Sequence, residues 1–156
     1  TVGQALASQL DTAFIELDTV IEEKAGFSLT EIFTLHGEEY YRRIESDCLN
    51  DILQHQRDAV IALSGGVTGN ITTYERILGE CFSVWLRAEP EDYMQRVLAQ
   101  GDHRPMAEST NAMAELRALV ARREPQYQRA SLTVDTVNLS PAEVTKQIHQ
   151  KLYHSP

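Results

Sequence analysis

The apolar run Ala59-Val60-Ile61-Ala62-Leu63 limits the possible folds of this chain more than any other segment. Five consecutive apolar residues that end at Ser64-Gly65-Gly66 are typical of a parallel strand covered on both faces. Three further candidate strands lie at residues 14–17, 82–86 and 132–135, and segments with helical periodicity separate them. Strands that alternate with helices favour an α/β fold around a parallel sheet.

Polar residues and glycines mark the ends of the predicted helices. Ser28 and Glu31 form a capping box that opens a helix over residues 29–35, and Gly37 ends that segment. The first seven residues already have a helical pattern, with neither Met nor a capping residue before them, so we expect a segment to precede them. Further helices are predicted over residues 20–25 (capped by Asp18-Thr19), 38–56, up to 78 (capped by Thr72-Thr73), 90–100, 112–123 and 141–153.

Charge and composition exclude several classes of protein. Fourteen Lys and Arg against 23 Asp and Glu give a net charge of −9, so this chain has no basic stripe for a nucleic acid. Cys48 and Cys81 are too few for a disulfide framework or a zinc site, and we expect buried free thiols in a cytoplasmic protein. The five histidines show no ligand spacing, so no metal site is predicted within the chain. No apolar run approaches the roughly 20 residues of a membrane span, and no membrane partner is expected.

The carboxyl ends of the predicted strands are the first place to search for a ligand site, because parallel sheets bind ligands beyond those ends. Asp18 follows one strand, and it either caps the next helix or orients a hydroxyl and takes its proton. Glu16, two residues earlier, is expected on the same side of the strand. Gly65-Gly66 would let backbone N–H groups approach a ligand closely, although most such pairs are only turns.

Arginines are the candidate anion-binding groups. Arg42 and Glu45 lie three residues apart on a predicted helix, so they form either a solvated ion pair or a guanidinium that grips a carboxylate or phosphate. Arg104, in a polar loop, and Arg123, near a helix end, are individually weak signals, and Arg122 could belong to the surface alone. An anion site would need several of these residues to converge.

These signals occur in the order of one family's motifs. They are Thr1-Val2-Gly3-Gln4-Ala5-Leu6-Ala7, Phe14-Ile15-Glu16-Leu17-Asp18 with Ile21-Glu22, Ile32-Phe33 with Gly37-Glu38, Tyr41-Arg42-Arg43-Ile44-Glu45, Ser64-Gly65-Gly66, Arg104-Pro105-Met106 and Arg123-Glu124-Pro125-Gln126-Tyr127. Over nearly its whole length the chain thus resembles shikimate kinase, a P-loop phosphotransferase. The resemblance implies a three-layer α/β/α fold with a parallel sheet, a single domain over residues 1–156 and a lid at about residues 100–111. It also implies that the first strand and the P-loop are missing from this sequence.

The resemblance assigns a role to each matching residue on the substrate side. Asp18, Arg42, Gly65, Gly66 and Arg123 fall on the positions that hold shikimate. The two arginines would grip its carboxylate, and Asp18 would orient the attacking hydroxyl.

A second group of matching residues faces the nucleotide. Arg104 falls on the lid arginine that neutralises the charge of the transferring phosphate, and Arg96 lies near the side that covers adenine. Thr1 matches the residue after the P-loop serine. ATP and Mg²⁺ are therefore expected in the complete protein, although the P-loop lysine and serine are absent from this sequence.

Departures from the family pattern concern supporting positions. Glu16 replaces the aspartate that supports the metal's water shell, and Ser64 replaces the first of three glycines. Met106 replaces the leucine of the lid motif. Glu45, by contrast, matches the glutamate of the Phe-Arg-x-x-Glu motif. Tyr41 stands where that motif has its phenylalanine.

A second resemblance leads to a different function. The segments at residues 84–91 and 97–107 are similar to the C-terminal domain of the BzdR/BoxR transcriptional regulators. It implies an effector-binding domain that senses an aromatic acyl-CoA such as benzoyl-CoA, contacts DNA only through a separate N-terminal helix-turn-helix domain, and can form a homodimer. We expect this regulator function first. The alternatives are a shikimate kinase that transfers phosphate from ATP to the 3-hydroxyl of shikimate, and another kinase of the fold, such as a gluconate-type enzyme.

Overall fold

The computed structural model describes residues 1–99 and 111–154, with the side chains of residues 96–99 left aside. Helices and short strands alternate along the chain, as the sequence predicts. The elements are α1 (Val2–Leu10), β1 (Ala13–Glu16), α2 (Leu17–Ala25), α3 (Leu29–His55), β2 (Ala59–Ala62), a 3₁₀ turn (Gly65–Gly69), α4 (Ile71–Glu80), β3 (Val84–Arg87), α5 (Pro90–Ala99), α6 (Ala112–Tyr127), β4 (Leu132–Asp135) and α7 (Pro141–His154).

Two pairs of parallel strands carry the fold. β1 pairs with β2 from Ala13↔Ala59 to Glu16↔Ala62, and β3 pairs with β4 from Val84↔Leu132 to Arg87↔Asp135. Within the described residues these are two separate two-stranded sheets. Because β1 and β2 are parallel and in register, the segments that follow them leave the sheet at the same edge. The α/β fold with parallel strands is confirmed.

Three apolar clusters fix the helices on these strands. The first lies between α2 and α3, the second joins α1, β4 and α7, and the third joins α3, the 3₁₀ turn and α4. The first and third both use α3, so this helix is anchored on two sides. Their buried members are Leu17, Ile21, Ile32, Tyr41, Ile44, Cys48 and Ile52; Leu6, Val134, Val144 and Ile148; and Leu49, Val67, Tyr74 and Ile77.

Helix α2 begins earlier than the sequence predicts. It starts at Leu17, whose side chain is buried in the first cluster, and Glu16 occupies the N-cap position without a side-chain bond. Asp18 therefore lies in the first turn of α2, where the helix dipole favours a negatively charged side chain. The prediction that Asp18 caps the helix is wrong, because Glu16 occupies the N-cap position. The expectation that Glu16 and Asp18 share one side of a strand also fails, because only Glu16 belongs to β1.

The start of α4 also differs from the prediction. The helix begins at Ile71 with Asn70 at the N-cap position, so Thr72 and Thr73 lie inside it. Thr73 is buried, and its hydroxyl shares a 2.6 Å hydrogen bond with Ser46 of α3. A hydroxyl engaged with a neighbouring helix is not used as a cap.

Helix α3 contains the predicted break at Gly37. That residue has φ 81° and ψ 176°, a conformation that is essentially restricted to glycine. Residues 29–36 and 38–55 therefore form two helical parts with different directions. The Ser28 capping box is present, with Ser28 Oγ accepting from the Glu31 N–H at 3.2 Å.

Helix α6 continues beyond the predicted end at Arg123, through Pro125, to Tyr127. Two contacts hold this last turn in place: the Tyr74 hydroxyl donates to the Gln126 carbonyl at 2.6 Å, and the Tyr127 hydroxyl donates to the Gly65 carbonyl at 2.8 Å. These tertiary bonds offset the helical hydrogen bond that Pro125 cannot make.

Two further expectations from the sequence concern the cysteines and membrane-spanning helices. Both cysteines are free thiols, but only Cys48 is buried; Cys81 is half-buried, so the expectation of burial is wrong for that residue. Among residues 1–99 and 111–154 there is no helix with the length and apolar content that a membrane span requires.

Candidate functional site

A cleft of about 310 Å³ opens between α3, the 3₁₀ turn and α6. Its size is at the lower end of the range for small-molecule sites. Three arginines and one glutamate give it a net positive lining within an acidic chain. The lining residues are Glu38, Arg42, Gly66, Thr68, Gly69, Leu119, Arg122, Arg123 and Gln126.

Arg42 is held in the cleft by a buried carboxylate. Its Nη1 donates to Oε1 and Oε2 of Glu45 at 3.0 and 3.3 Å, and the Glu45 side chain is only 1% exposed. On the open side, Nη2 lies 3.6 Å from the exposed Glu38 carboxylate. The pair is therefore not a solvated surface bridge, and it fixes the guanidinium in one orientation.

Arg123 meets Arg42 at Gly66. A Cβ atom placed on Gly66 would lie 3.3 Å from Nη2 of Arg42 and 3.6 Å from Nη2 of Arg123. Within the described part of the chain, Arg123 has no ion pair and no hydrogen bond from its side chain. Two guanidinium groups thus flank one backbone position, and one of them is available to an anion from outside the protein.

Gly65 connects the same wall to the end of α6. A Cβ atom there would lie 2.7 Å from Oη of Tyr127 and 3.2 Å from Nη1 of Arg123. The Tyr127 ring packs on Trp85 of β3, with ring centroids 5.4 Å apart. Glycine is required at this position because the tyrosine hydroxyl reaches the backbone carbonyl.

Asp18 is not one of the residues that line this cleft. It is linked to Arg42 through two shared neighbours, since Glu45 interacts with both residues and the Tyr41 ring lies 5.2 Å from the Arg42 guanidinium carbon. Burial, followed by the charges of Glu45, Glu22 and Glu16, raises the pKa of Asp18, and a hydrogen bond from Tyr41 opposes that rise. Oδ1 of Asp18 is buried and has no hydrogen-bond partner among the described residues.

Tyr41 is the hydrogen-bond partner of this carboxyl group. Tyr41 is buried, and desolvation together with the charges of Glu45 and Asp18 raises its pKa to about 12, so it is a neutral donor at physiological pH. The Ser64 side chain bonds with the same hydroxyl. The Tyr41 hydroxyl therefore places a polar hydrogen beside Asp18, and Ser64 lies on the other side of that hydroxyl group as its second partner.

Three comparisons with known proteins bear on this arrangement. A profile of the shikimate kinase family matches residues 1–153. The shikimate kinase of Parasynechococcus marenigrum is 39% identical over 154 residues, which cover 97% of this chain and 78% of the relative. The structure of shikimate kinase from Acinetobacter baumannii in complex with shikimate superposes with a TM-score of 0.87 at 28% identity, covering 97% of this chain and 84% of that one.

The chain belongs to the shikimate kinase family.

Other members of the family agree with this placement. A shikimate kinase of Thermus thermophilus is 32% identical over 152 residues, which cover 97% of this chain and 82% of the relative. The crystal structure of the Bacteroides thetaiotaomicron enzyme gives a TM-score of 0.84 at 25% identity, covering 97% of this chain and 89% of that one.

The expectation of a regulator domain that senses an aromatic acyl-CoA is wrong. The matches to shikimate kinases extend over 97% of the chain at 32–39% identity, and they include both segments that suggested a regulator. These matches support neither an acyl-CoA ligand nor a separate DNA-binding domain.

Several residues that the family resemblance assigned to the site are not among the residues that line the cleft. Thr1 is exposed ahead of α1, and Glu16 is exposed and accepts a hydrogen bond from Thr19 Oγ1 at 3.3 Å. Arg104 and the lid up to residue 110 lie outside the described residues, and so does the side chain of Arg96.

The sequence analysis missed the lining residues Leu119 and Gln126 and left Arg122 as a possible surface residue, although their spacing relative to Arg123 pointed to all three. Leu119, Arg122, Arg123 and Gln126 are spaced by three and four residues, so they share one face of α6. Arg122 therefore lines the cleft instead of lying only on the outer surface. Asn70 was missed as well, because no local pattern connects it to α3.

A magnesium ion and a triphosphate would need oxygen ligands from acidic side chains and a glycine-rich phosphate-binding loop. Residues 1–99 and 111–154 contain no cluster of three or more His, Cys, Asp or Glu side chains that could hold a metal ion. The sequence contains no Gly-x-x-x-x-Gly-Lys-Ser/Thr motif for a triphosphate. The acidic side chains of the described residues therefore form no preassembled cluster for a magnesium ion.

Proposed function

We propose that this protein is a shikimate kinase, which transfers the γ-phosphate of ATP to the 3-hydroxyl of shikimate. One observation carries the proposal: Arg42 and Arg123 converge on Gly66 in a cleft of small-molecule size. The ligand must therefore be small and must carry an anionic group. The family membership of the chain selects shikimate among such ligands.

The two arginines would bind the carboxylate of shikimate. Arg42 is already oriented by Glu45, so little conformational freedom is lost when it donates to a ligand. Arg123 has no described partner and gains one on binding. Charge-assisted bonds from guanidinium groups to a carboxylate are about twice as strong as neutral hydrogen bonds, and their planar geometry selects a planar anion.

Gly65 and Gly66 would form the wall against which the substrate ring packs. Neither residue has a side chain, and the space above Gly66 is bounded by the two guanidinium groups. A ring whose carboxylate reaches both arginines would therefore lie close to the backbone.

Asp18 would act on the hydroxyl that is phosphorylated. Its unpartnered Oδ1 can accept the hydroxyl hydrogen, and its raised pKa makes it a stronger base than an exposed aspartate. As the hydroxyl oxygen forms its bond to the γ-phosphorus, the bond between that phosphorus and the β,γ-bridging oxygen breaks. The hydroxyl proton passes to Asp18, and ADP leaves.

ATP and Mg²⁺ belong to this proposal as substrate and cofactor of the complete protein. Bound magnesium would neutralise charge on the phosphates. Arg104 and Arg96 are proposed to face the phosphates and the adenine side, and Thr1 to follow the phosphate loop; Glu16 and Ser64 are proposed as supporting residues.

Turnover of the protein expressed from its complete reading frame tests the proposal. Shikimate and ATP should yield shikimate 3-phosphate, identified by ³¹P NMR and mass spectrometry, whereas gluconate, an acyclic carboxylate polyol, should give no product. Arg123→Ala should raise the KM for shikimate about 100-fold or more, since a charge-assisted contact is lost.

A matched control lies on the same helix. Arg117 is an exposed arginine of α6 that pairs with Glu91 and does not line the cleft. Arg117→Ala should leave the KM for shikimate unchanged. The proposal fails if shikimate is not phosphorylated, or if Arg117→Ala and Arg123→Ala have equal effects.

A further inference from the structure

Asn70 joins the glycine wall of the cleft to helix α3. It follows the 3₁₀ turn directly, and its Nδ2 donates to the Arg42 carbonyl at 3.1 Å and to Ser46 Oγ at 2.9 Å. The same nitrogen lies 3.3 Å from Oε1 of Glu45. One amide group, with two hydrogens, thus contacts three successive polar groups on one stretch of α3.

This use of the side chain is unusual for its position. Asparagine is favoured at helix N-caps because its side-chain oxygen accepts a hydrogen bond from the first turn. Asn70 occupies the N-cap of α4, yet no side-chain cap bond is formed there. The amide is instead engaged with the helix that carries Arg42 and Glu45.

The contact completes the environment of a buried charge. Glu45 Oε1 receives Nη1 of Arg42 at 3.0 Å and Nδ2 of Asn70 at 3.3 Å. Gly69, the residue before Asn70, lies so close to Arg42 that an added Cβ would be 3.7 Å from Nη2. Loss of the Asn70 amide would leave one lone pair of a carboxylate that is 1% exposed without its donor.

We propose that Asn70 is a positioning residue for substrate binding: it fixes Glu45, and through Glu45 the direction of the Arg42 guanidinium, relative to the Gly65–Gly69 turn. This inference rests on the proposed function, because it assumes that Arg42 binds the substrate carboxylate. Asn70 itself does not touch the substrate in this arrangement.

Two substitutions separate positioning from capping. Serine and aspartate are good N-cap residues, so Asn70→Ser and Asn70→Asp should preserve α4, and thermal unfolding checks this. Ser is too short to reach Glu45, and Asp places a carboxylate where a donor is needed. Asn70→Ser should raise the KM for shikimate about three- to tenfold, the range for one lost hydrogen bond, with kcat and the KM for ATP changed less than about twofold. Asn70→Asp should raise the KM further.

A second measurement tests the route through Glu45. In a Glu45→Gln background the orientation of Arg42 is already weakened, so Asn70→Ser should raise the KM by a smaller factor than in the unsubstituted protein. Asn50 supplies the matched control: its Oδ1 accepts a hydrogen bond from Arg76, so it also joins α3 to α4, but away from the cleft. Asn50→Ala should leave the KM for shikimate unchanged.

The possible outcomes separate a failure of the positioning role of Asn70 from a failure of the proposed kinase function. An unchanged KM in Asn70→Ser and Asn70→Asp, equal effects of Asn70→Ser and Asn50→Ala, or full additivity with Glu45→Gln would each overturn the positioning role while shikimate kinase activity stands. If the unsubstituted protein does not phosphorylate shikimate, the proposed function fails and the inference fails with it.

Discussion

Arg42 donates to both carboxylate oxygens of Glu45, and the acidic partner of this pair is the buried one. Removing the arginine would leave the Glu45 carboxylate in the core with Asn70 as its described donor. We expect Arg42→Ala to destabilise the protein by about 3 kcal/mol, the lower part of the range for breaking a buried pair. Urea unfolding measures this free energy, and the same variant should lose measurable binding of shikimate.

The double variant separates charge from packing. Adding Glu45→Gln to Arg42→Ala removes the unpaired charge while keeping the shape of the side chain, so the double variant should be more stable than Arg42→Ala alone. Arg129→Ala is the control, because Arg129 and its partner Glu75 are exposed, and its removal should change the unfolding free energy little. A double variant that is less stable than Arg42→Ala would contradict a charge penalty at Glu45.

Gly66 allows a second prediction, on the shape of the cleft. An added methyl group would lie 3.3 Å from Arg42 Nη2 and 3.6 Å from Arg123 Nη2, in the space assigned to the substrate ring. Gly66→Ala should therefore raise the KM for shikimate about tenfold or more with little loss of stability, because the crowded atoms are the ends of long side chains. Steady-state kinetics and thermal unfolding measure the two effects.

Two other glycines provide comparisons for this substitution. Gly79 lies within α4, and a Cβ there would meet nothing within 4 Å, so Gly79→Ala should stabilise the protein by about 0.5–1 kcal/mol without changing the KM. Gly65→Ala places its Cβ 2.7 Å from the Tyr127 hydroxyl and should loosen the end of α6 as well. If Gly66→Ala binds shikimate normally, the substrate does not pack on this wall.

The sequence predicted the types of the elements better than their ends. The strand at Ala59–Ala62 and the break at Gly37 depend on local chemistry, namely a continuous apolar run and a backbone conformation that glycine tolerates. The starts of α2 and α4 depend on tertiary contacts instead. Leu17 is drawn into the core beside α3, and Thr73 bonds to Ser46, 27 residues away in the sequence. No local pattern contains that information.

In the candidate site, too, some features follow from local sequence and others depend on tertiary contacts. Arg42 and Glu45 were paired from their spacing on one helix, but the burial of Glu45 depends on α4 and the turn before it. Arg123 was located through the family motif, whereas its approach to Gly66 requires α6 to continue to Tyr127 despite Pro125. The regulator interpretation failed because resemblance in two short segments was given more weight than the ordered substrate motifs.

Asp18 yields a prediction that couples stability to pH. Burial and the charges of Glu45, Glu22 and Glu16 raise its pKa above the ordinary value of 3.8 in the folded protein. The folded state therefore holds this proton more tightly than the unfolded chain. Between the two pKa values the unfolded state binds fewer protons, so the contribution of Asp18 to the free energy of unfolding falls as pH rises through that window.

Asp18→Asn removes this penalty together with the carboxylate that is proposed to take the hydroxyl proton. At pH 7.5 the variant should melt at a higher temperature than the unsubstituted protein, and kcat should fall about 100-fold or more. The difference in melting temperature should shrink as the pH is lowered through the raised pKa of Asp18, because the protonated carboxyl group no longer carries the destabilising charge. Glu39→Gln, an exposed carboxylate on α3, should show no such trend. An Asn variant that is less stable at pH 7.5 would mean that the Asp18 charge is stabilised by its surroundings, and the assignment of Asp18 as a base with a raised pKa would have to be abandoned.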